Sequence, residues 1–204
     1  MIVGIDFDNT IVCYDDLFYR EALERELIPE HVLPNKQSVR DYLRSIGQED
    51  KWTELQAYVY GPGIMKANAY TGVLEFFDAC RVSSVKAYVI SHKTQFPYAG
   101  GKFDLRECAL AWLKSNGFFE YEKSGIGNSD VFFLDTKKAK MLEIERRGCG
   151  VFIDDLPEFL TEQDFPSVKK ILFDPHGKNG SDERFSVMHS WSQAFELMFG
   201  DENT

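Results

Sequence analysis

Asp6 and Asp8 stand one residue apart at the end of the apolar run Ile2-Val3-Gly4-Ile5, and Asn9 and Thr10 come directly after them. A short run rich in Ile and Val and closed by polar residues reads as a buried strand. Side chains two apart on a strand share a face, so both carboxylates can meet one reacting group. Two anions that close repel unless a cation lies between them or one carries a proton. The pattern calls for a hard metal ion, a nucleophile and a general acid in one site. The plainer reading is an Asp-rich turn after a strand.

Three further places put polar groups just past an apolar strand. Ser91 and His92 come after Val85-Lys86-Ala87-Tyr88-Val89-Ile90. Lys137, Lys138 and Lys140 come soon after Val131-Phe132-Phe133-Leu134. Of these, Lys137 is chosen as nearest the strand end. Lys140 is its rival one helical turn on, and the remaining two are read as a solvated helix face. Asp154 and Asp155 come after Gly150-Val151-Phe152-Ile153. Standing before Leu156 and Pro157, that pair could also merely cap a helix.

The elements that must position these groups alternate. A fifth strand is expected over Lys170-Ile171-Leu172-Phe173 and a final helix from Val187 to Phe199. Such alternation predicts an α/β fold, a Rossmann-like parallel sheet with helices on both faces and its strand ends gathered along one edge. The stretch from 14 to 69 breaks the rhythm. It is charged and poor in strand signals, with helices expected over 15–23, from a cap at Ser38, and over 54–60. It reads as a small helical cap inserted after the first strand, leaving 1–13 and 70–204 as the α/β core.

With 204 residues, 44% hydrophobic and 27% charged, the chain fits one globular domain carrying an insertion. A formal net charge of -10 argues against a nucleic-acid polymer as partner. No apolar run is long enough to span a membrane. Cys13, Cys80, Cys108 and Cys149 are scattered, without metal-ligand spacing, and read as reduced thiols of a cytoplasmic protein. The first residues lack the basic region of a signal peptide.

Taken in chain order, these groups resemble the four motifs of the haloacid dehalogenase (HAD) superfamily, phosphatase type. Asp6-Phe7-Asp8-Asn9-Thr10 meets the Asp-x-Asp-x-Thr of the first motif, Ser91 the second, a lysine at a helix start the third, and Asp154-Asp155 the fourth. The acidic pair with Leu156-Pro157-Glu158 is also similar to the fourth motif of the family's 5′-deoxyribonucleotidases. The resemblance implies Asp6 as nucleophile and Asp8 as general acid and base. Ser91 and Lys137 would bind the phosphoryl group, with Asn9, Thr10 and His92 around it. Asp6, Asp8 through its backbone carbonyl, and Asp155 would hold Mg²⁺, with Asp154 as a direct or water-mediated ligand. The second aspartate, Asp8, marks the family's phosphatases rather than its dehalogenases.

The expected function is therefore Mg²⁺-dependent hydrolysis of a small phosphomonoester, a nucleotide or sugar phosphate, through an aspartyl-phosphate. A phosphoryl transferase and a non-catalytic phosphate-binding protein on the same fold are the alternatives.

Overall fold

The computed structural model describes residues 1–199. The chain forms two compact units. The first contains Met1–Ile11, Ala69–Lys93 and the chain from Lys114 onward; the second contains Val12–Asn68 and Thr94–Leu113.

In chain order, β1 (Ile2–Ile5) is followed by β2 (Val12–Cys13), α1 (Asp15–Glu24), α2 (Lys36–Ser45), α3 (Glu49–Tyr60) and β3 (Asn68–Ala69). Next come α4 (Val73–Val82), β4 (Lys86–His92), α5 (Leu105–Ser115), α6 (Tyr121–Ser124), β5 (Val131–Leu134) and α7 (Lys137–Arg146). The chain continues through β6 (Val151–Asp154), α8 (Pro157–Leu160), β7 (Lys169–Phe173), β8 (Ser186–Met188) and α9 (Ala194–Phe199).

The first unit is built on a six-stranded sheet in the order β5-β4-β1-β6-β7-β8, with each neighbouring pair parallel. The chain builds outward from β1 on one side, through β4 and β5, then crosses to the other side for β6, β7 and β8. This reversal beside β1 is the place where open α/β sheets leave a crevice at the strand ends. Ile5 is level with Val89 of β4 and Ile153 of β6, so the three chain segments leaving these strands converge there.

Val3 to Ile5 and Val151 to Asp154 are buried at every position. Because successive side chains face opposite ways, the sheet is covered on both faces. Phe152, Phe159, Leu160, Ile90, Ile144 and Leu172 form one core cluster. Gly4 makes this packing possible. A Cβ there would lie 2.6 Å from the Phe152 ring, closer than packed carbons approach.

The second unit is helical and rich in aromatic contacts. Tyr14 meets Tyr60 with ring centroids 4.9 Å apart, and Phe18 meets Trp52 at 5.0 Å. β2 pairs with β3 in a short ribbon.

Three expectations are corrected. The sequence reading places Thr94–Leu113 in the α/β core, but the segment belongs to the second unit. Gly100 packs so tightly on α3 that a Cβ would stand 2.9 Å from the Ala57 Cβ, and buried Trp112 donates its indole N–H to the Ala67 carbonyl at 3.0 Å. The helix expected from Val187 begins instead as edge strand β8, where Val187 is level with Leu172; only Ala194–Phe199 is α-helical. Asn35, not Ser38, caps α2, its side-chain oxygen accepting the Ser38 N–H at 2.9 Å. No helix among the described residues is long and apolar enough to cross a membrane.

Candidate active site

β1 delivers Asp6 to the crevice. The Asp6 N–H donates to the Ile153 carbonyl at 2.9 Å, which extends the β1–β6 ladder one residue past the strand. The chain then turns tightly. Asn9 adopts φ 56°, a left-handed conformation that Asn tolerates better than most residues, and the Ile11 N–H closes on the Phe7 carbonyl at 3.0 Å. Asn9 thus shapes the turn. Thr10 is fully buried beneath it, its hydroxyl 3.5 Å from Asp155 and its carbonyl accepting the Trp191 indole N–H at 3.2 Å.

β6 delivers Asp154 and Asp155. Asp154 serves two partners: one oxygen accepts the Leu156 N–H at 2.9 Å, at the start of α8, and the other accepts from Lys140 at 2.5 Å. Asp154 thus bonds both the backbone leading into α8 and the buried lysine. Oxygens of Asp6, Asp154 and Asp155 can be chosen that all lie within 4.8 Å of one another.

The lysine that meets these carboxylates is Lys140, not the expected Lys137. Thr136 caps α7 by accepting the Ala139 N–H at 3.0 Å, which fixes the rotation of the helix. Lys140 then falls on the face shared with buried Ile144. Its side chain is 4% exposed and donates to Asp6 at 2.6 Å as well as to Asp154. The ring of Phe159 lies 4.2 Å from the ammonium and that of Phe152 5.3 Å. Lys137 is 43% exposed and pairs with Glu162 at 3.6 Å, a surface contact. Proximity to the strand end in sequence misled, because the first residue of a helix points where the cap sets it.

β4 brings a second cation that the motif pattern passed over. The strand runs through Ser91 and His92, and the Lys93 N–H carries its ladder on to the Leu134 carbonyl at 2.9 Å. Ser91 and Lys93 therefore share one face and His92 takes the other. Both Ser91 and Lys93 are buried. The Lys93 ammonium donates to both carboxylate oxygens of Asp8, at 2.9 Å each. His92 is exposed, its Nε2 3.1 Å from the Asp135 carbonyl, and does not face the site. The readable signal for Lys93 was period-two alternation continued past Ile90.

Three carboxylates (Asp6, Asp8 and Asp154) meet two buried ammonium groups, and half-buried Asp155 stands beside Asp6 and Asp154. Burial pushes the Asp6 carboxyl up from an ordinary 3.8 to about 7; Lys140 opposes the shift, and Asp154 and then Asp8 add to it. For Lys140, burial disfavours the charged form, but Asp154 and Asp6 outweigh it and hold the ammonium above its usual value.

No family model matches the chain, and neither does any curated protein. Solved structures do resemble it. A haloacid dehalogenase-like hydrolase from Streptococcus pneumoniae superposes with a TM-score of 0.60 at 12% identity, over 97% of each chain. A HAD family hydrolase from Deinococcus radiodurans, solved with bound phosphate and sodium, gives 0.58 at 13% identity, over 97% of this chain and 94% of that one. A HAD hydrolase from Bacillus subtilis bound to magnesium gives 0.56 at 12% identity, over 97% and 98%. At such identities the likeness is one of architecture, and it extends over nearly the whole of each partner. The parallel sheet and these superpositions together give the chain the haloacid dehalogenase-like fold.

Proposed function

We propose that this protein is a Mg²⁺-dependent phosphatase acting on a small phosphomonoester through an aspartyl-phosphate. The observation that carries the reading is the gathering of Asp6, Asp154 and Asp155 oxygens beside Lys140 at the ends of β1 and β6. Carboxylate oxygens that close repel unless a cation lies among them. The donor set of Asp6, Asp154 and Asp155 is all oxygen, which fits a hard divalent ion such as Mg²⁺ and not a thiolate- or imidazole-seeking one. Bound there, magnesium would neutralise the repulsion between these carboxylates and an incoming phosphoryl dianion.

The chain's own groups divide the remaining work. An Asp6 oxygen attacks phosphorus and forms the acyl-phosphate bond as the bond to the leaving oxygen breaks. Asp8 hands its proton to that oxygen. Water then attacks phosphorus and gives its proton to Asp8, the bond to Asp6 breaks, and inorganic phosphate leaves. Lys140 orients Asp6 and balances charge on the transferring group. Ser91, buried on the face that also carries Lys93, donates a hydrogen bond to a phosphoryl oxygen. The phosphate bound to the Deinococcus protein and the magnesium bound to the Bacillus protein support this reading by analogy of fold. The helical unit after the first motif is read as the cap that selects a nucleotide or sugar phosphate and excludes polymers.

Hydrolysis of p-nitrophenyl phosphate and of a panel of nucleotide and sugar phosphates, with Mg²⁺ and with EDTA, tests the proposal. Metal-dependent release of phosphate is expected. If no ester in the panel is cleaved, or if cleavage persists in EDTA, the reading is wrong.

A further inference from the structure

Lys93 is the one site cation that the phosphatase scheme leaves without a task. A lysine whose side chain is 3% exposed is costly to bury and needs a specific partner. That partner is Asp8, whose two oxygens stand at equal distances of 2.9 Å from the ammonium. The Lys93 backbone is pinned by the β4–β5 ladder, and the Phe7 ring lies 5.3 Å from Nζ. Phe7 is itself fully buried and meets Phe133 at 5.5 Å. The ammonium thus has a fixed anchor behind it and a carboxylate in front of it. Asp8, by contrast, keeps 23% of its side chain open to solvent. It sits at the start of the tight turn through Asn9.

We infer that Lys93 is the positioning residue of the proton-transferring carboxylate: by holding both oxygens it sets the plane of Asp8 and aims it at the leaving group. The inference rests on the phosphatase reading above. It is separate from the role of Lys140, which grips the nucleophile and the fourth-motif aspartate and is bonded to no oxygen of Asp8 among the contacts of the described residues. Two buried lysines divide the two first-motif carboxylates between them. Lys140 fixes the one that attacks and Lys93 the one that moves the proton. A misaimed acid loses rate where the leaving group needs a proton and loses little where it does not.

The test is a leaving-group series, scored by kcat/KM. That quantity covers the steps up to phosphoryl transfer and is blind to later hydrolysis of the acyl-phosphate. Lys93→Met keeps the aliphatic stem and removes the ammonium. Because Asp8 is partly solvated, the variant is not left with a dry unpaired carboxylate. A melting curve checks the fold, and Lys93→Gln takes its place in the same comparison if Lys93→Met does not fold. The expected loss is about 100-fold for alkyl phosphates, whose leaving oxygen must be protonated, and about fivefold or less for p-nitrophenyl phosphate, whose leaving group departs as an anion. In an Asp8→Asn background, the same lysine change is expected to cost less than about twofold further, since groups acting through one another are not additive. Equal losses across the series, or full additivity with Asp8→Asn, would overturn the inference while leaving the phosphatase reading intact. A wild type that cleaves no phosphomonoester removes both.

Discussion

Two buried carboxylate clusters, one in each unit, contrast with each other. In the helical unit, Glu21 of α1 is 4% exposed and accepts from Lys66 at 2.6 Å and Arg25 at 3.2 Å. One acid meets two bases there, and both bases reach solvent, with side chains 49% and 37% exposed. Arg25 also stacks over Tyr58 at 4.0 Å. In the α/β unit the ratio is inverted. Three acids (Asp6, Asp8 and Asp154) meet two lysines, and the lysines are themselves buried, 3% and 4% exposed. The first cluster is satisfied as it stands and ties α1 to the end of the inserted segment. The second brings oxygens of Asp6, Asp154 and Asp155 within 4.8 Å of one another, close enough to share one cation. Buried charge by itself therefore does not mark a functional site. A set of carboxylate oxygens placed to share one cation is what sets the second apart.

The comparison can be broken most directly at Asp6. Asp6→Asn is expected to lower turnover by at least about 10³-fold, with melting in EDTA unchanged or raised, because a carboxylate disfavoured by burial and by Asp154 and Asp8 has gone. Glu21→Gln is expected to leave kcat within about twofold. Steady-state kinetics of the two variants side by side decide this. If both lose activity alike, the distinction between the clusters fails.

Lys140→Met comes next. Removing the ammonium shared by Asp6 and Asp154 strands two dry carboxylates and is expected to cost about 3–5 kcal/mol in urea unfolding. Lys137→Met, on the same helix, is expected to cost under about 0.5 kcal/mol. Similar costs would mean that Lys140 is not the cation around which the site is built.

A smaller effect is expected from pH. The folded Asp6 carboxyl stands near 7 against an ordinary 3.8, so below 3.8 it is protonated in both folded and unfolded chains. As pH rises from there to about 7, the unfolded chain releases this proton first. Stability from this group is then lost progressively up to about pH 7. In EDTA, the melting temperature of the wild type is expected to fall relative to that of Asp6→Asn over this range. Parallel curves would show that the carboxyl titrates normally. Glu21→Gln is expected to cost only about 1–2 kcal/mol in unfolding, since Lys66 and Arg25 can turn to water when the charge is withdrawn.

Much of the site was legible because β1, β4 and β6 are short apolar runs that end abruptly. Asp6, Asp8, Ser91, Asp154 and Asp155 each announce themselves by breaking such a run. The lysines did not, for two physical reasons. Lys140 lies one turn inside α7, and its direction depends on a cap at Thr136 that spacing from the strand does not encode. Lys93 lies beyond the expected end of β4, and its burial depends on a backbone ladder to Leu134 that only the fold supplies. Likewise Val187 and Met188 sit in a mixed run of both periodicities, and pairing with β7 decided for a strand. The assignment of Thr94–Leu113 to the helical unit rests on contacts such as Trp112 with Ala67, which are far apart in the chain.

The missing side chain of Gly4 reaches further than the core. It lets the Phe152 ring cross β1, and that same ring lies 5.3 Å from the Lys140 ammonium. A single methyl at position 4 would displace the ring and with it one wall of the lysine's berth. Laboratory evolution toward this protein's chemistry has little freedom at a residue that never meets a substrate. A library spared at Asp6 and Lys140 but opened at Gly4 would lose active clones nearly as fast as one opened at the lysine itself.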